Sequence, residues 1–234
     1  KSPQNHRAFD FAYLDENKQL QLTDYENINS PGLLEATARE KLTSIFFEIP
    51  VTFPAPEKGP TVISGYPSEN SVKKFHPSEL KAELEEQFGP FPPISPGRYS
   101  GKNKKKVIEE FTAATRYRQK AFCHLLKSRK NWDFAACNFY LGDQFSHYFW
   151  SDFFKNDSPT SPLSKAYRLL DKVIGNIKAV IPENSNILVM SDHGHGPQEK
   201  MFNLNYWLWK ENFLKFKNTS STQLKKLLNL RKFS

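Results

Sequence analysis

Two short segments of the sequence place an aspartate next to a histidine directly after an apolar run. The first segment is Asp143-Gln-Phe-Ser-His147, and the second is Asp192-His193. Carboxylate and imidazole together favour zinc, or a similar divalent ion, over calcium or magnesium. The i, i+4 spacing predicts that Asp143 and His147 share one face of a helical turn. We therefore predict that Asp143, His147, Asp192 and His193 are metal ligands.

Each segment alone is a weak signal, because an aspartate and a histidine four residues apart commonly form a surface pair. Their common position after an apolar strand, with a helix between them, strengthens the prediction. Ligands bind outside the carboxyl ends of strands in open α/β sheets, so both pairs should lie at the same edge. Gly194 and Gly196 would let the chain bend after Asp192. Asp192 and His193 could then serve one ion or bridge two.

The elements that must position these residues alternate between helical and strand patterns. Apolar residues at helical spacing predict helices, and short apolar runs predict buried strands. Ser30 is expected to cap the first helix, with Pro31 at its first position. The alternation predicts an α/β layered sheet with helices on both faces. The predicted helices are 32–41, 77–87, 105–129, 163–180, 204–213 and a basic one at 221–232; the predicted strands are 42–51, 61–65, 134–141 and 186–190.

Composition narrows the class of protein. The chain has 234 residues, and 14% of them are aromatic, which is enough to build a core and excludes a disordered chain. The net charge of +8 favours anionic partners, although the lysines are spread out and a simple solubility charge is the blander interpretation. Cys123 and Cys137 form no CxxC pair and are expected to be buried thiols in a reducing, cytoplasmic compartment. No apolar run approaches the roughly 20 residues of a membrane span.

Five segments resemble, in order, the type I phosphodiesterase / nucleotide pyrophosphatase family of the alkaline phosphatase superfamily. LVMSDHGHGP resembles its "SDHG" strand end, and FYLGDQFSHYFW resembles its "DxxxH" segment. NHRAFDF is similar to the stretch that follows the family's nucleophile. The five segments are 5–11, 45–68, 139–150, 188–197 and 202–217. Five ordered matches are far more specific than one.

The resemblance implies an alkaline-phosphatase-like fold, incomplete at both ends, and two divalent metal ions, most simply zinc. Asp143 and His147 would hold one ion with a further histidine from downstream. Asp192 and His193 would hold the other with an aspartate and a nucleophilic Thr or Ser from upstream. His195 stands where the family more often has a bulky apolar residue. It would either hydrogen-bond a metal ligand without binding the ion or, as we expect, be exposed.

The resemblance also implies the domain organisation. Residues 1–234 would form part of the catalytic domain, with a loop-rich excursion at 66–104 and the start of a cap or C-terminal extension at 198–234. The nucleophile and two of the six metal ligands are expected to lie outside this chain.

The expected activity is metal-dependent hydrolysis of a phosphate ester, and this chain alone is expected to be inactive. The substrate would be a small phosphate ester, a nucleotide or a lipid headgroup rather than a nucleic-acid duplex. One alternative is a truncated, non-catalytic relative that acts as a binding module. Another is a phosphomutase or a sulfatase-like enzyme.

Overall fold

The computed structural model describes residues 10–68, 71–96, 99–100, 102–156 and 159–215, with the backbone alone at 154–156. Contacts divide the chain into two compact units, one up to His195 and one from Gly196 onward. The basic helix predicted at 221–232 lies outside the described residues. None of the described helices combines the length and the apolarity that crossing a bilayer requires.

The first unit is built on a four-stranded mixed sheet in the order β5-β4-β3-β6. Strand β3 pairs in parallel with both β4 and β6, and β5 pairs antiparallel with β4. A separate antiparallel hairpin joins β1 and β2. The strands are β1 (Ala12–Leu14), β2 (Leu20–Leu22), β3 (Ser44–Ile49), β4 (Thr61–Ser64), β5 (Phe75–His76) and β6 (Phe134–Cys137).

Helices cover both faces of this sheet, because successive side chains of β3 point to opposite sides. Ile45 and Phe47 are buried in the cluster that also holds side chains of the second and third helices. Phe46 instead joins Leu34 of the first helix on the other face. The predicted fold class is therefore confirmed. The helices are α1 (Leu33–Arg39), α2 (Leu80–Phe88), α3 (Lys104–Ser128), α4 (Leu141–Asn156), α5 (Pro162–Lys178) and, in the second unit, α6 (Leu204–Lys210).

A second apolar cluster joins the N-terminal half of α3 to α4 and α5, away from the sheet. Its buried members come from all three helices and include four aromatic or leucine side chains of α4 and α5. They are Val107, Phe111, Leu141, Phe145, Phe149, Leu163 and Ala166. Burying one such large side chain stabilises the fold by about 1.5–3 kcal/mol. This cluster fixes α4, which carries Asp143 and His147.

Helix capping differs from the prediction at α1 and follows a standard pattern at α5. The residue that caps α1 is Gly32, not Ser30, because the Gly32 N–H finds its acceptor in Glu35 Oε2 at 2.7 Å. At α5, the Ser161 hydroxyl accepts from the Ser164 N–H at 3.2 Å. In both cases a side chain satisfies a backbone donor that the helix itself leaves unpaired.

Segment 66–104 contains β5 and α2 in addition to its loops. Phe75, Leu80 and Leu84 from this segment are almost fully buried, and Phe91 is 7% exposed. Phe75 and Phe91 pack edge to face, with ring centroids 5.3 Å apart. The segment therefore supplies part of the core on the α3 face of the sheet.

Two strand predictions need correction. Residues 186–190 form no strand, and Leu188 and Met190 are 84% and 80% exposed. An apolar run becomes a buried strand only beside a neighbouring strand, and β6 has no partner on its other edge among the described residues. Strand β6 ends at Cys137 rather than at 141, because the chain turns there and α4 begins at Leu141. In the described sheet β6 is an edge strand.

The ends of β3 and β4 approach each other so closely that Gly65 has no room for a side chain. Its N–H donates to Ile49 O at 3.0 Å. A Cβ at this position would overlap the backbone carbonyl groups of Glu48 and Ile49. Backbone atoms, unlike the tip of a flexible side chain, cannot move aside cheaply.

We expect Gly65→Ala to lower the free energy of unfolding by about 1–3 kcal/mol, because the added methyl group overpacks this contact. The matched control is Gly175→Ala, inside α5, where a Cβ would meet no atom within 4 Å. This control should stabilise the chain by roughly 0.5–1 kcal/mol, since alanine favours helix over glycine. Urea unfolding followed by circular dichroism measures both changes. An unchanged or raised stability for Gly65→Ala would contradict the close approach.

Candidate metal centre

Asp143 and His147 lie on one face of α4, one turn apart. Helix α4 begins just after β6, so Asp143 is in its first turn at the edge of the sheet. His147 Nε2 is 3.4 Å from Asp143 Oδ1. The two side chains therefore share one face of the helix, as their spacing in the sequence predicted. Their role as ligands remains a prediction.

The segment 191–195 brings two more imidazoles to the same carboxylate. His195 Nε2 lies 3.2 Å from Asp143 Oδ1, and His193 Nε2 lies 3.8 Å from the same oxygen. The His193 and His195 rings are 5.1 Å apart. Two segments that are distant in the sequence therefore meet at one oxygen atom, although only the first of them follows a strand.

Asp192 lies at the outer side of this cluster. Its Oδ2 is 3.6 Å from His193 Nε2, and its side chain is 87% exposed. It follows an irregular segment rather than a strand, so the predicted strand-end setting is absent at this pair. Asp192 thus meets the cluster through His193.

His195 is not the exposed side chain that the sequence led us to expect. Only 16% of its side chain is exposed. Its ring packs edge to face on His147 at 5.2 Å and lies 6.2 Å from the Trp150 ring. The signal that could have found it is the His-Gly-His spacing, because residues two apart in an extended segment point to the same side.

The donor set fits a metal ion. Asp143, His147 and His195 each offer a ligand atom, and these atoms lie within 4.8 Å of one another. Two ligand atoms bound at about 2.0 Å to a tetrahedral zinc ion are roughly 3.3 Å apart. The 3.2 and 3.4 Å separations from Asp143 Oδ1 match that value. A carboxylate surrounded by imidazoles is also the ligand chemistry that zinc prefers.

The centre is open to solvent, which suits a site that an ion and a substrate must enter. The Asp143 side chain is 42% exposed and that of His147 is 65% exposed. The pKa of His193 is raised above its usual range. The largest contribution comes from the hydrogen bond with the Gly194 carbonyl group, and the negative charges of Asp192 and Asp143 add to it. The neighbourhood of the cluster therefore favours positive charge.

The other histidines within the described residues do not join the cluster. His124 on α3 lies 2.7 Å from Glu83 on α2, and Arg129 binds the same carboxylate. This ion-paired group ties two helices together. It offers a control position for experiments on the metal centre.

The chain combines a mixed α/β sheet with a group of carboxylate and imidazole side chains, just beyond the end of β6, that could hold a metal ion. The family model for type I phosphodiesterase / nucleotide pyrophosphatase matches residues 1–231, and the chain belongs to this family. The family is one of phosphoester hydrolases, generally metal-dependent, that act on phosphate esters or nucleotides. Comparison with curated proteins gives no significant match, and neither does comparison with solved structures.

We expect Asp143→Ala to weaken Zn²⁺ binding more than any other single change in the cluster, because all three imidazoles meet its carboxylate. His195→Ala should weaken binding about as much as His147→Ala, by roughly 100-fold or more, since removing even a supporting group costs about 10- to 100-fold. Titration against a chromophoric chelator measures the affinities.

His124→Ala is the control for this series and should leave Zn²⁺ affinity unchanged. If His195→Ala behaved like His124→Ala, His195 would not be a ligand. Asp192→Ala should have a smaller effect than Asp143→Ala, since its carboxylate reaches the cluster only through His193.

Proposed function

We propose that this chain carries the metal-binding centre of a zinc-dependent phosphodiesterase or nucleotide pyrophosphatase. The observation that carries the proposal is the convergence of His147, His193 and His195 on Asp143 Oδ1. This cluster occurs in a member of a phosphoester hydrolase family. A phosphate ester is an anion, and a zinc-binding edge in a chain of net charge +8 suits such a substrate.

We propose two zinc ions, divided between the two segments. Asp143, His147 and His195 would hold one ion, supported by their ligand-like separations. Asp192 and His193 would hold the other together with ligands from outside the cluster, supported by the 3.6 Å between their side chains. Zinc bound here would polarise the phosphoryl group and lower the pKa of a bound hydroxyl.

The residues of this chain would bind and orient rather than attack. Asp143, placed by α4, would supply a negatively charged ligand for the cation, and each imidazole would supply a nitrogen lone pair. The exposed side of the cluster, where 65% of the His147 side chain is open to solvent, is where a phosphate ester would approach. We propose that the nucleophilic hydroxyl is not among residues 1–234, because none of the five family segments in them contains it.

We also propose that the chain from about residue 198 onward begins a cap or C-terminal extension. The division of contacts at Gly196 supports this. Within this unit, Asn203 caps α6 by accepting from the Tyr206 N–H at 3.0 Å. The Trp207 ring stacks on Phe213 with centroids 6.1 Å apart. These local contacts support a separately organised segment.

The natural gene product, purified without added chelator, is expected to hydrolyse bis-p-nitrophenyl phosphate in preference to p-nitrophenyl sulfate. Removal of metal should abolish turnover and Zn²⁺ should restore it. His147→Ala and Asp192→Ala should each lower kcat/KM by about 100-fold or more. Residues 1–234 alone should bind Zn²⁺ without turnover.

The same activity measurements also distinguish a phosphodiesterase from a sulfatase-like enzyme and test the assigned metal ligands. Faster hydrolysis of p-nitrophenyl sulfate than of bis-p-nitrophenyl phosphate would favour a sulfatase-like enzyme. Full activity in both His147→Ala and Asp192→Ala would reject the assigned centre. Retained activity in His124→Ala is required before either loss is attributed to the metal ligands.

A further inference from the structure

A buried cluster of charged side chains surrounds Glu48 near the end of β3. Glu48, at the end of β3, has no exposed surface. It accepts from Lys74 Nζ at 3.0 Å and from the Arg118 guanidinium group of α3. Burial lowers the pKa of Lys74, and the Glu48 charge opposes that shift. Glu48 compensates both buried cations, and they compensate its charge in turn, whereas Lys74 and Arg118 repel each other.

This cluster fixes a β-bulge. Phe47 pairs with Ile63 and Ile49 pairs with Ser64, so Glu48 is an extra residue in β3. Its φ is 53°, in the left-handed region that a glutamate rarely adopts. Such a conformation persists only where the surroundings over-determine it. Here the buried side chain of Glu48 is held on the α3 side by Arg118.

The bulge frees the Glu48 carbonyl group from the strand ladder and presents it to Tyr140. The Tyr140 hydroxyl donates to Glu48 O at 3.0 Å and accepts from the Tyr66 N–H at 3.0 Å. One hydroxyl therefore joins the ends of β3 and β4. Burial raises the pKa of Tyr140 to about 12, so the hydroxyl keeps the proton it donates.

The same residue starts the helix that carries the metal ligands. The Tyr140 carbonyl oxygen accepts from the Gln144 N–H at 3.0 Å, in the first turn of α4. Two residues earlier, the Asn138 N–H donates to Phe47 O at 3.0 Å. Both the first and the last residue of the turn 138–140 are thus hydrogen-bonded to the C-terminal part of β3. Asp143 lies three residues after this turn.

We propose that Tyr140 is a positioning residue for the metal centre. Its hydroxyl group hydrogen-bonds the Glu48 carbonyl group of the bulge, and its own carbonyl group accepts the first hydrogen bond of α4. Tyr140 therefore fixes the start of α4 against the end of β3, and with it the position of the Asp143 carboxylate. The inference rests on the proposed function, because it takes Asp143 to be a metal ligand. Ligand atoms must lie within about 0.2 Å of their ideal distances for tight binding, so a small displacement of α4 has a large effect.

Tyr140→Phe tests this, because it removes one hydroxyl and keeps the ring. The matched control is Tyr117→Phe on α3. The Tyr117 hydroxyl is likewise partly buried and donates to the Gly89 carbonyl oxygen at 3.0 Å, but it belongs to the α2–α3 contact. Burial raises its pKa to about 12 as well. Each variant therefore removes the hydrogen bonds of one partly buried hydroxyl group, and the unfolding midpoints of both are measured so that their losses of stability can be compared.

We expect Tyr140→Phe to weaken Zn²⁺ binding by about 10- to 100-fold, the range found when a supporting group of a metal ligand is lost. It should also change the visible absorption spectrum of the Co²⁺-loaded chain, which reports ligand geometry. Tyr117→Phe should leave both the affinity and the spectrum as in the unmodified chain. All titrations are made well below the unfolding midpoints of the two variants.

The outcomes are distinguishable. Unchanged Zn²⁺ affinity and an unchanged Co²⁺ spectrum in Tyr140→Phe would overturn the positioning role while leaving the proposed function intact. Equal losses in Tyr140→Phe and Tyr117→Phe would also overturn it, because general destabilisation would then explain both. Failure of the unmodified chain to bind Zn²⁺ would overturn the proposed function, and this inference with it.

Discussion

The buried carboxylate of Glu48 is the constraint on which this edge of the sheet depends. A charge without exposed surface must be compensated inside the core, and Lys74 and Arg118 do so. Arg118 also donates to the carbonyl oxygens of Pro92 and Pro93, the latter at 2.9 Å. The carboxylate therefore ties β3 to α3 and to the loop that follows α2. With so many partners, the bulge at the end of β3 has little freedom to move.

The two halves of the candidate centre differ in how firmly they are held. Asp143 and His147 stand on α4, whose Phe145 and Phe149 are almost fully buried. His193 and His195 follow an irregular, exposed segment. Side chains on a packed helix are positioned more rigidly than those on an exposed irregular segment. Buried contacts of α4 thus place Asp143 and His147, whereas none of residues 191–195 is buried.

Local patterns in the sequence predicted the longer helices α3 and α5 and the buried strands β3 and β4, but not the β1–β2 hairpin, β5 or the full length of α4. The 3.6-residue period of α3 and α5 and the helical spacing of Asp143 and His147 are local, and they were predicted. The strand expected at 186–190 depends on a neighbouring strand, which no local pattern supplies. The bulge at Glu48 also has a non-local cause, since its partner Arg118 lies 70 residues further on. The one local hint was a glutamate inside the apolar run of β3.

Family membership and site geometry answer different questions about this chain. The family match over residues 1–231 gives the class of reaction but does not assign a ligand. The cluster around Asp143 gives a set of ligand atoms but does not assign a reaction. A histidine-rich cluster alone would be equally compatible with a structural zinc ion, which has four protein ligands and no open position. The 65% exposure of His147 argues against that closed arrangement, so geometry and family together favour a centre that meets its substrate.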